Sequence, residues 1–491
     1  MNEGSLAALL GRVLRGRLLQ RGATAMTAFI ARACQQISAL ALILLAASVL
    51  LPAEYGVYTL AVVFVLLLQT LTYSGLYHFV ITSKDDEREA LDTSFWLMMA
   101  ISSGGAVVLF IGSPLISAIF RNSEIGEVVR WLALAQPPAA AVAWVSAVYM
   151  RQQRLQSFYS IMIAQNLLAM AGGIALVLAW ESVFALVAYR YLRVIFGGAL
   201  YFGCSKTFPG LRFRKPLAGT AMRYASGLYG SRGLTFLSLY AGDVLLGIYL
   251  STAEAGIYRF GVRLARAAMD VVVQPLKNFA LARFGAEARA DRPLGQLFQR
   301  FWSTSFLLLG CGAVAIIVFV EPAIGAFFRP EYGPAAVVAM AFAANGVFAA
   351  GSMFVEPFLA ARGRTGLAMA FGGASTIVLV LSILVFAPFG LEALSWAQAG
   401  VSLVTTIAAL MLVGSMDSLE FGPGALRLLE SCVLIVAYGV LLHFIYTWLS
   451  SVLADRQAAF LASVAIGAAA GLALLAVSYR RRLIYLDVFS D

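Results

Sequence analysis

The stretch "LPAEYGVYTLA", Leu51 to Ala61, returns two hundred residues later as "STAEAGIYRFG", Ser251 to Gly261. Ala53, Glu54, Gly56 and Tyr58 fall in register with Ala253, Glu254, Gly256 and Tyr258. Upstream, at the same offset, "IARACQ" (30–35) faces "GSRGLT" (230–235), so Arg32 and Arg232 coincide without a gap. Downstream, "FRNSEIG" from Phe120 echoes "FRPEYG" from Phe328, and Arg154 has a weaker counterpart in Arg364. One unit is written twice.

The composition says where that unit lives. The chain has 491 residues, 61% hydrophobic and 12% charged, with a mean hydropathy of +0.86. Soluble domains carry about 25% charged residues, so this chain cannot cover a water-facing surface and belongs in a bilayer. Helices satisfy their own backbone polar groups in hydrocarbon. No stretch has the short alternating pattern of a membrane barrel, and the first apolar run is too long for a cleavable signal.

Fourteen apolar segments of spanning length can be drawn: 24–50, 56–80, 94–119, 130–150, 158–179, 183–204, 224–250, 255–281, 301–320, 333–358, 366–387, 391–414, 425–449 and 457–478. The expected fold is an all-α polytopic membrane protein with two pseudo-symmetric six-helix bundles around a central cavity. Two appended helices complete it. An even repeat keeps both bundles in one orientation, related by an axis along the membrane normal. The corresponding regions are an amphipathic N-terminal segment (1–22), a first lobe (23–204), a basic linker (205–223), a second lobe (224–414), the added pair (415–479) and a tail (480–491).

Lysine and arginine fix the orientation, because they accumulate in cytoplasmic loops. With the N-terminus inside, 23 of the 35 fall on the cytoplasmic side and four outside. Both termini are therefore expected in the cytoplasm. The asymmetry accounts for most of the net +10 without invoking nucleic acid. Eight bases remain within spans: Arg32, Arg190, Arg193, Arg232, Arg259, Arg263, Arg266 and Lys277. Cations at membrane depth are rare and mark function or pairing.

The two copies part company after the shared tyrosine. Tyr58 is followed by "TLAVVFVLLLQ", nearly all apolar, whereas Tyr258 is followed by "RFGVRLARAAMDVVVQPLK". Arg259, Arg263, Arg266, Asp270, Gln274 and Lys277 are spaced by four, three, four, four and three. That spacing predicts one stripe along one helix face. The stripe is about 27 Å long at 1.5 Å per residue, close to the hydrocarbon thickness. Facing lipid, each central Arg or Lys would cost about 2.5–3.5 kcal/mol, so the eighth span is expected to line a polar cavity, with a kink at Pro275.

Structural readings compete. Folding the hairpin at 252–253 brings Asp243 level with Arg263, a pairing that neutralises both. Asp270 can neutralise Arg266, and Arg259 and Lys277 can snorkel to the membrane edges. Arg32, Arg232 and part of the stripe remain as surplus positive charge. Guanidinium groups hold phosphate oxygens in paired, charge-assisted bonds, so the surplus predicts an anionic solute. Gln35, Gln36, Tyr229, Tyr240 and Asn345 are either sugar contacts or interhelical packing.

The glycines and tyrosines of the repeated turn read as a tight extracytoplasmic loop with interfacial rings, its glutamates complementing the next helix dipole. Residues 5–15 read as an amphipathic surface helix and 283–302 as interfacial helices around Pro293. "SKDDEREALD" (83–92) reads as a solvated loop. Cys34, Cys204, Cys311 and Cys432 stand apart, as do His78 and His443, so no metal site or disulfide framework is expected. No P-loop is present.

The "AEYGVY" and "AEAGIY" turns, the stretch "LYAGDVLLGIYLSTAEAGIYRFGVRLAR" (239–266) and "PEYG" (330–333) resemble the polysaccharide-transport, Wzx-type oligosaccharide flippases. These belong to the multidrug/oligosaccharidyl-lipid/polysaccharide exporter superfamily. The resemblance covers residues 20–415. It implies a non-enzymatic carrier in the bacterial inner membrane that moves polyprenyl-pyrophosphate-linked oligosaccharide outward by alternating access. It implies no cofactor, although coupling to protons, sodium or the membrane potential is compatible with it. The implied partners are the lipid-linked oligosaccharide, membrane lipids, and polysaccharide polymerase and export proteins. The substrate-binding candidates are Arg32, Arg232, Arg259, Arg263, Arg266, Asp243, Asp270 and Lys277. A multidrug exporter of the same superfamily, expected to have a carboxylate-dominated cavity, is one alternative. The other is a non-transporting assembly partner of an envelope polysaccharide machine.

Overall fold

The computed structural model describes residues 3–73, 75–83, 87–417, 419, 421–481 and 483, with side chains from Met26 onward except at 87, 228, 231 and 421–427. Among these every regular element is helical. Each copy of the repeated tip begins a helix, and its glutamate is the reason. Helix α2 (Pro52–Tyr73) opens with Glu54 accepting the Leu51 N–H at 2.9 Å. Helix α10 (Thr252–Arg289) opens on Ser251, whose hydroxyl accepts the Glu254 N–H at 3.2 Å and donates to the Glu254 carboxylate at 3.1 Å. The bonds from the Leu51 and Glu254 N–H groups occupy backbone donors that a helix start leaves unsatisfied.

The turn glycines do something other than shape a loop. Gly56 and Gly256 both lie inside helices, where the two copies cross. A Cβ on Gly56 would overlap the Thr252 carbonyl, and one on Gly256 would overlap the Pro52 carbonyl and the backbone of Gly56. Only hydrogen at both positions lets the backbones approach this closely. Nor is Tyr258 an interfacial ring: it is 4% exposed, and its hydroxyl bonds Gln398.

The chain forms two compact units. The first contains residues 1–50 and 60–233, and the second contains 51–59 and 234–491. The first holds α1 (Glu3–Val49), most of α2, α3 (Leu76–Thr82), α4 (Glu87–Phe120), α5 (Ser123–Leu134), α6 (Gln136–Arg151), α7 (Leu155–Trp180), α8 (Val183–Gly203) and the first half of α9 (Lys215–Tyr249). Its core gathers around Trp144, whose indole N–H donates to the Leu91 carbonyl at 2.9 Å.

The second unit holds the rest of α9, then α10, α11 (Gly295–Phe327), α12 (Ala335–Phe348), α13 (Val355–Ala361), α14 (Thr365–Phe386), α15 (Leu391–Met416), α16 (Phe421–Val452) and α17 (Arg456–Arg480). Phe284, Phe298, Phe301, Phe354 and Phe358 form its aromatic core. Helices α16 and α17 pack on α11. There Gly439 meets Val314 and Gly467 meets Leu442, small residues that admit close packing between membrane helices.

Ten described helices are long and apolar enough to cross a membrane, or up to twelve if each of two bent pairs is one span. The bent pairs are α5 with α6, at 41°, and residues 330–348 with 352–361, at 56°. The first break is set by prolines at the start of α6, which have no N–H to continue the ladder. Helices α9 and α10, 35 and 38 residues long, are not among those passing on composition.

Two readings of loops change. Helix α10 runs on to Arg289, past Pro275, and only residues 290–294 separate it from α11. Within 83–92, residues 87–92 form the start of α4, and Asp92 is buried rather than solvated. The side chains of the amphipathic segment (5–15), Lys84, Arg427 and most of the tail (480–491) lie outside the described residues.

Candidate substrate-binding site

Helix α10 carries the charged column on a single unbroken helix, as the spacing requires. Its buried ridge is Tyr258, Val262, Ala265, Met269 and Leu276, about a quarter turn from the charged residues. That ridge packs against α12. Packing of the apolar ridge therefore fixes the direction of the column. Arg263, Asp270 and Gln274 are exposed, while Arg259, Arg266 and Lys277 are half-buried.

The pairing differs from the level-matching expectation. Asp243, on α9, takes Arg259 and not Arg263: Arg259 Nη2 stands 2.8 Å from Asp243 Oδ2. The guanidinium also lies over the Tyr240 ring, 4.7 Å from its centroid. Arg259 therefore turns inward toward the helix contact and does not snorkel; its side chain is 13% exposed and that of Asp243 1%. The ion pair is close, yet neither Asp243 oxygen receives a hydrogen bond of good geometry among the described residues. Asp243 lies within electrostatic reach of Arg266 and Arg263 as well.

Arg266 lies 5.7 Å from the Phe342 ring centroid and within electrostatic reach of Asp270. No ion pair joins Arg266 to Asp270 among the described residues. Arg263 and Lys277 likewise make none. The cluster of Arg259, Arg263, Arg266, Asp243 and Asp270 thus contains one tied cation, one cation shielded by a ring, and one left open.

Arg32, on α1, and Arg232, on α9, belong to the first unit. Both are exposed, and neither forms an ion pair among the described residues. Arg190 and Arg193 sit half-buried on α8, where the Arg193 carbonyl accepts from Gln165 Nε2 at 2.8 Å. Three of the five polar candidates serve packing. Tyr229 donates to the Leu71 carbonyl at 2.9 Å, Tyr240 lies under Arg259, and Asn345 donates to the Gln398 carbonyl and Ser402 hydroxyl at 3.0 and 2.9 Å. Gln36 is exposed and Gln35 half-buried.

Residues that sequence reasoning passed over include Tyr55, which is 2% exposed and within electrostatic reach of Arg263, Arg259 and Asp243. The repeated motif contains it, but Ala255 holds its place in the second copy, so the repeat gave no signal. Gln398 is another; its partner Tyr258 lies 140 residues away in sequence.

The family model described as polysaccharide biosynthesis protein, Polysacc_synt_3, matches residues 45–335, more than half of the chain. The chain belongs to this family. Succinoglycan biosynthesis transport protein ExoT of Rhizobium meliloti (strain 1021) is 22% identical over 65% of this chain and 64% of its own length. Lipopolysaccharide biosynthesis protein WzxC of Escherichia coli (strain K12) is 22% identical over 46% of this chain and 45% of its own. The chain thus matches less than two-thirds of either relative.

Among solved structures, lipid II flippase MurJ in an inward closed conformation superposes with a TM-score of 0.71 at 12% identity. The match covers 94% of this chain and 99% of MurJ. An inward-facing multidrug resistance MATE family transporter of the MOP superfamily gives 0.63 at 12% identity, covering 81% and 95%. The fold is that of the superfamily, and the chain is a polytopic all-α membrane protein.

Proposed function

We propose that this family member is a flippase that carries a polyprenyl-pyrophosphate-linked oligosaccharide across the bacterial inner membrane for polysaccharide biosynthesis. One observation carries the reading: Arg263, on α10, which the Lys/Arg bias reads as a span, is exposed and has no ion-pair partner among the described residues. An open guanidinium in hydrocarbon is costly, so its place implies water and an anion to receive. Arg32, Arg232 and Lys277 add positive charge of the same kind, and Asp243 already holds Arg259. The bases outnumber the acids, which favours a pyrophosphate over the organic cations of a multidrug exporter.

In this reading Arg32 and Arg232 of the first unit and Arg263 and Lys277 of the second are each positive groups available to the head group. Arg259, Asp243, Arg266 and Asp270 shape the path and set its field, while the lipid tail stays in the bilayer. Counting α9 and α10 as spans gives fourteen. An even count and the Lys/Arg bias then put both termini in the cytoplasm. The carrier is not an enzyme, it works by alternating access, and Asp243, Asp270 and Glu356 are the candidates for coupling to protons or sodium. Polysaccharide polymerase and export proteins are the expected neighbours.

The test is flipping of a fluorescent lipid-linked oligosaccharide by purified protein in liposomes. Arg32→Ala, Arg232→Ala and Arg263→Ala are each expected to lower the rate about 10–100-fold at unchanged insertion, the loss of a charge-assisted contact of about 1.5–3 kcal/mol. Unchanged flipping in all three variants removes the site assignment. An inactive wild type favours the assembly partner.

A further inference from the structure

The segment between α8 and α9, residues 204–214, follows the end of a helix long and apolar enough to cross a membrane and is held in place. Asp92 of α4 accepts the Gly210 N–H at 2.8 Å, and Trp96, one turn along, donates its indole N–H to the Gly210 carbonyl at 2.9 Å. Thr93 accepts the Arg214 N–H at 3.2 Å. Gln152, after α6, donates to the Thr207 hydroxyl at 3.0 Å. Gly210 fits because a Cβ there would come 2.5 Å from the Asp92 carboxylate.

A segment fixed so firmly would be expected to tuck in its apolar side chains. Phe208, Leu211 and Phe213 instead stand 57%, 90% and 50% exposed. They alternate with bases: Lys206, Arg212, Arg214 and Lys215 are all exposed. Arg214 pairs with Glu89, while Lys206, Arg212 and Lys215 form no ion pair among the described residues. From Cys204 to Arg223 the sequence contains no acid.

We propose that this latched segment is a docking surface for anionic phospholipid headgroups of the adjoining leaflet. Phe208, Leu211 and Phe213 enter the headgroup–acyl boundary, and Lys206, Arg212 and Lys215 gather negative lipid around them. Apolar side chains with interleaved cations bind such a surface through both terms at once. The four hydrogen bonds to α4 and Gln152 hold the side chains ready, so little ordering entropy opposes the contact.

The test uses the full-length protein in nanodiscs, with its four free cysteines replaced by alanine and a fluorophore on Leu211→Cys. Phe208→Cys serves as a second label site. Phosphatidylcholine discs receive graded brominated phosphatidylglycerol or brominated phosphatidylcholine. Half-quenching is expected at a clearly lower fraction of the anionic quencher. Arg212→Gln and Lys215→Gln should each raise that fraction about fivefold, equivalent to the ~1 kcal/mol per basic residue at an anionic surface. Equal half-quenching by the two lipids overturns the proposal. So does quenching by aqueous iodide with none by either lipid. Neither readout depends on flipping.

Discussion

Helices α2 and α10 leave corresponding hairpin tips and then differ in what they carry. Thr59, Val63 and Leu66 stand in α2 where Arg259, Arg263 and Arg266 stand in α10, and Ile43 of α1 stands where Asp243 stands in α9. In the first copy Thr59 satisfies its hydroxyl within its own helix, on the Gly56 carbonyl at 3.0 Å, and Val63 is 3% exposed. In the second copy the corresponding sites hold an ion pair and an open arginine. The helix crossing needs the shared residues in both copies. The charge is an addition to one of them. Helix crossing and charge are thus separable along the same helix: glycine and glutamate at the tip, arginine below it.

The comparison can be broken hardest at its ion pair. Asp243→Asn leaves Arg259 buried without a counter-charge, and a loss of about 3–5 kcal/mol is expected, read as a fall in melting temperature in detergent. Restoring the first copy's residues together, Asp243→Ile with Arg259→Thr, should recover most of that loss. If the double variant is no more stable than Asp243→Asn, the pair is not what holds the site.

The tip comes next. Gly256→Ala forces a Cβ against the backbone of the other copy, and overpacking of this kind costs about 1–3 kcal/mol. Gly104→Ala in α4, where a Cβ would meet nothing within 4 Å, should change stability little and serves as the control.

The smallest effect lies at a second pair of matched positions, 210 residues apart. Gln152 donates to Thr207 in the first unit, and Arg362 pairs with Asp417 in the second. Asp417 also accepts the Leu294 N–H at 2.7 Å. Arg362→Gln, which leaves Asp417 holding the Leu294 N–H, should cost no more than about 1 kcal/mol, because Arg362 is a third exposed. The cost should shrink further in high salt.

Much of this was legible in the residues. Hydropathy gave the class, and the spacing of Arg259, Arg263, Arg266, Asp270, Gln274 and Lys277 placed them on one helix face. Partners were not legible. Hairpin counting puts Asp243 level with Arg263, but side chains on a helix lean toward its N-terminus, and packing turned Arg259 inward. Asp92 looked solvated because it ends a charged run. Its role appears only when the segment at Gly210, 118 residues on, folds against it.

The sequence by itself determined that this is a helical membrane protein of the polysaccharide-biosynthesis family with a cationic column on one helix. Composition, period and local caps act within a few turns of the chain, so they can be read without its neighbours. Tertiary structure alone decided which cation is neutralised, which glycines cross and which loop is latched. Those outcomes depend on packing between helices, from the two arms of one hairpin to elements a hundred residues or more apart, where a rotation of one side chain exchanges an open charge for a buried pair.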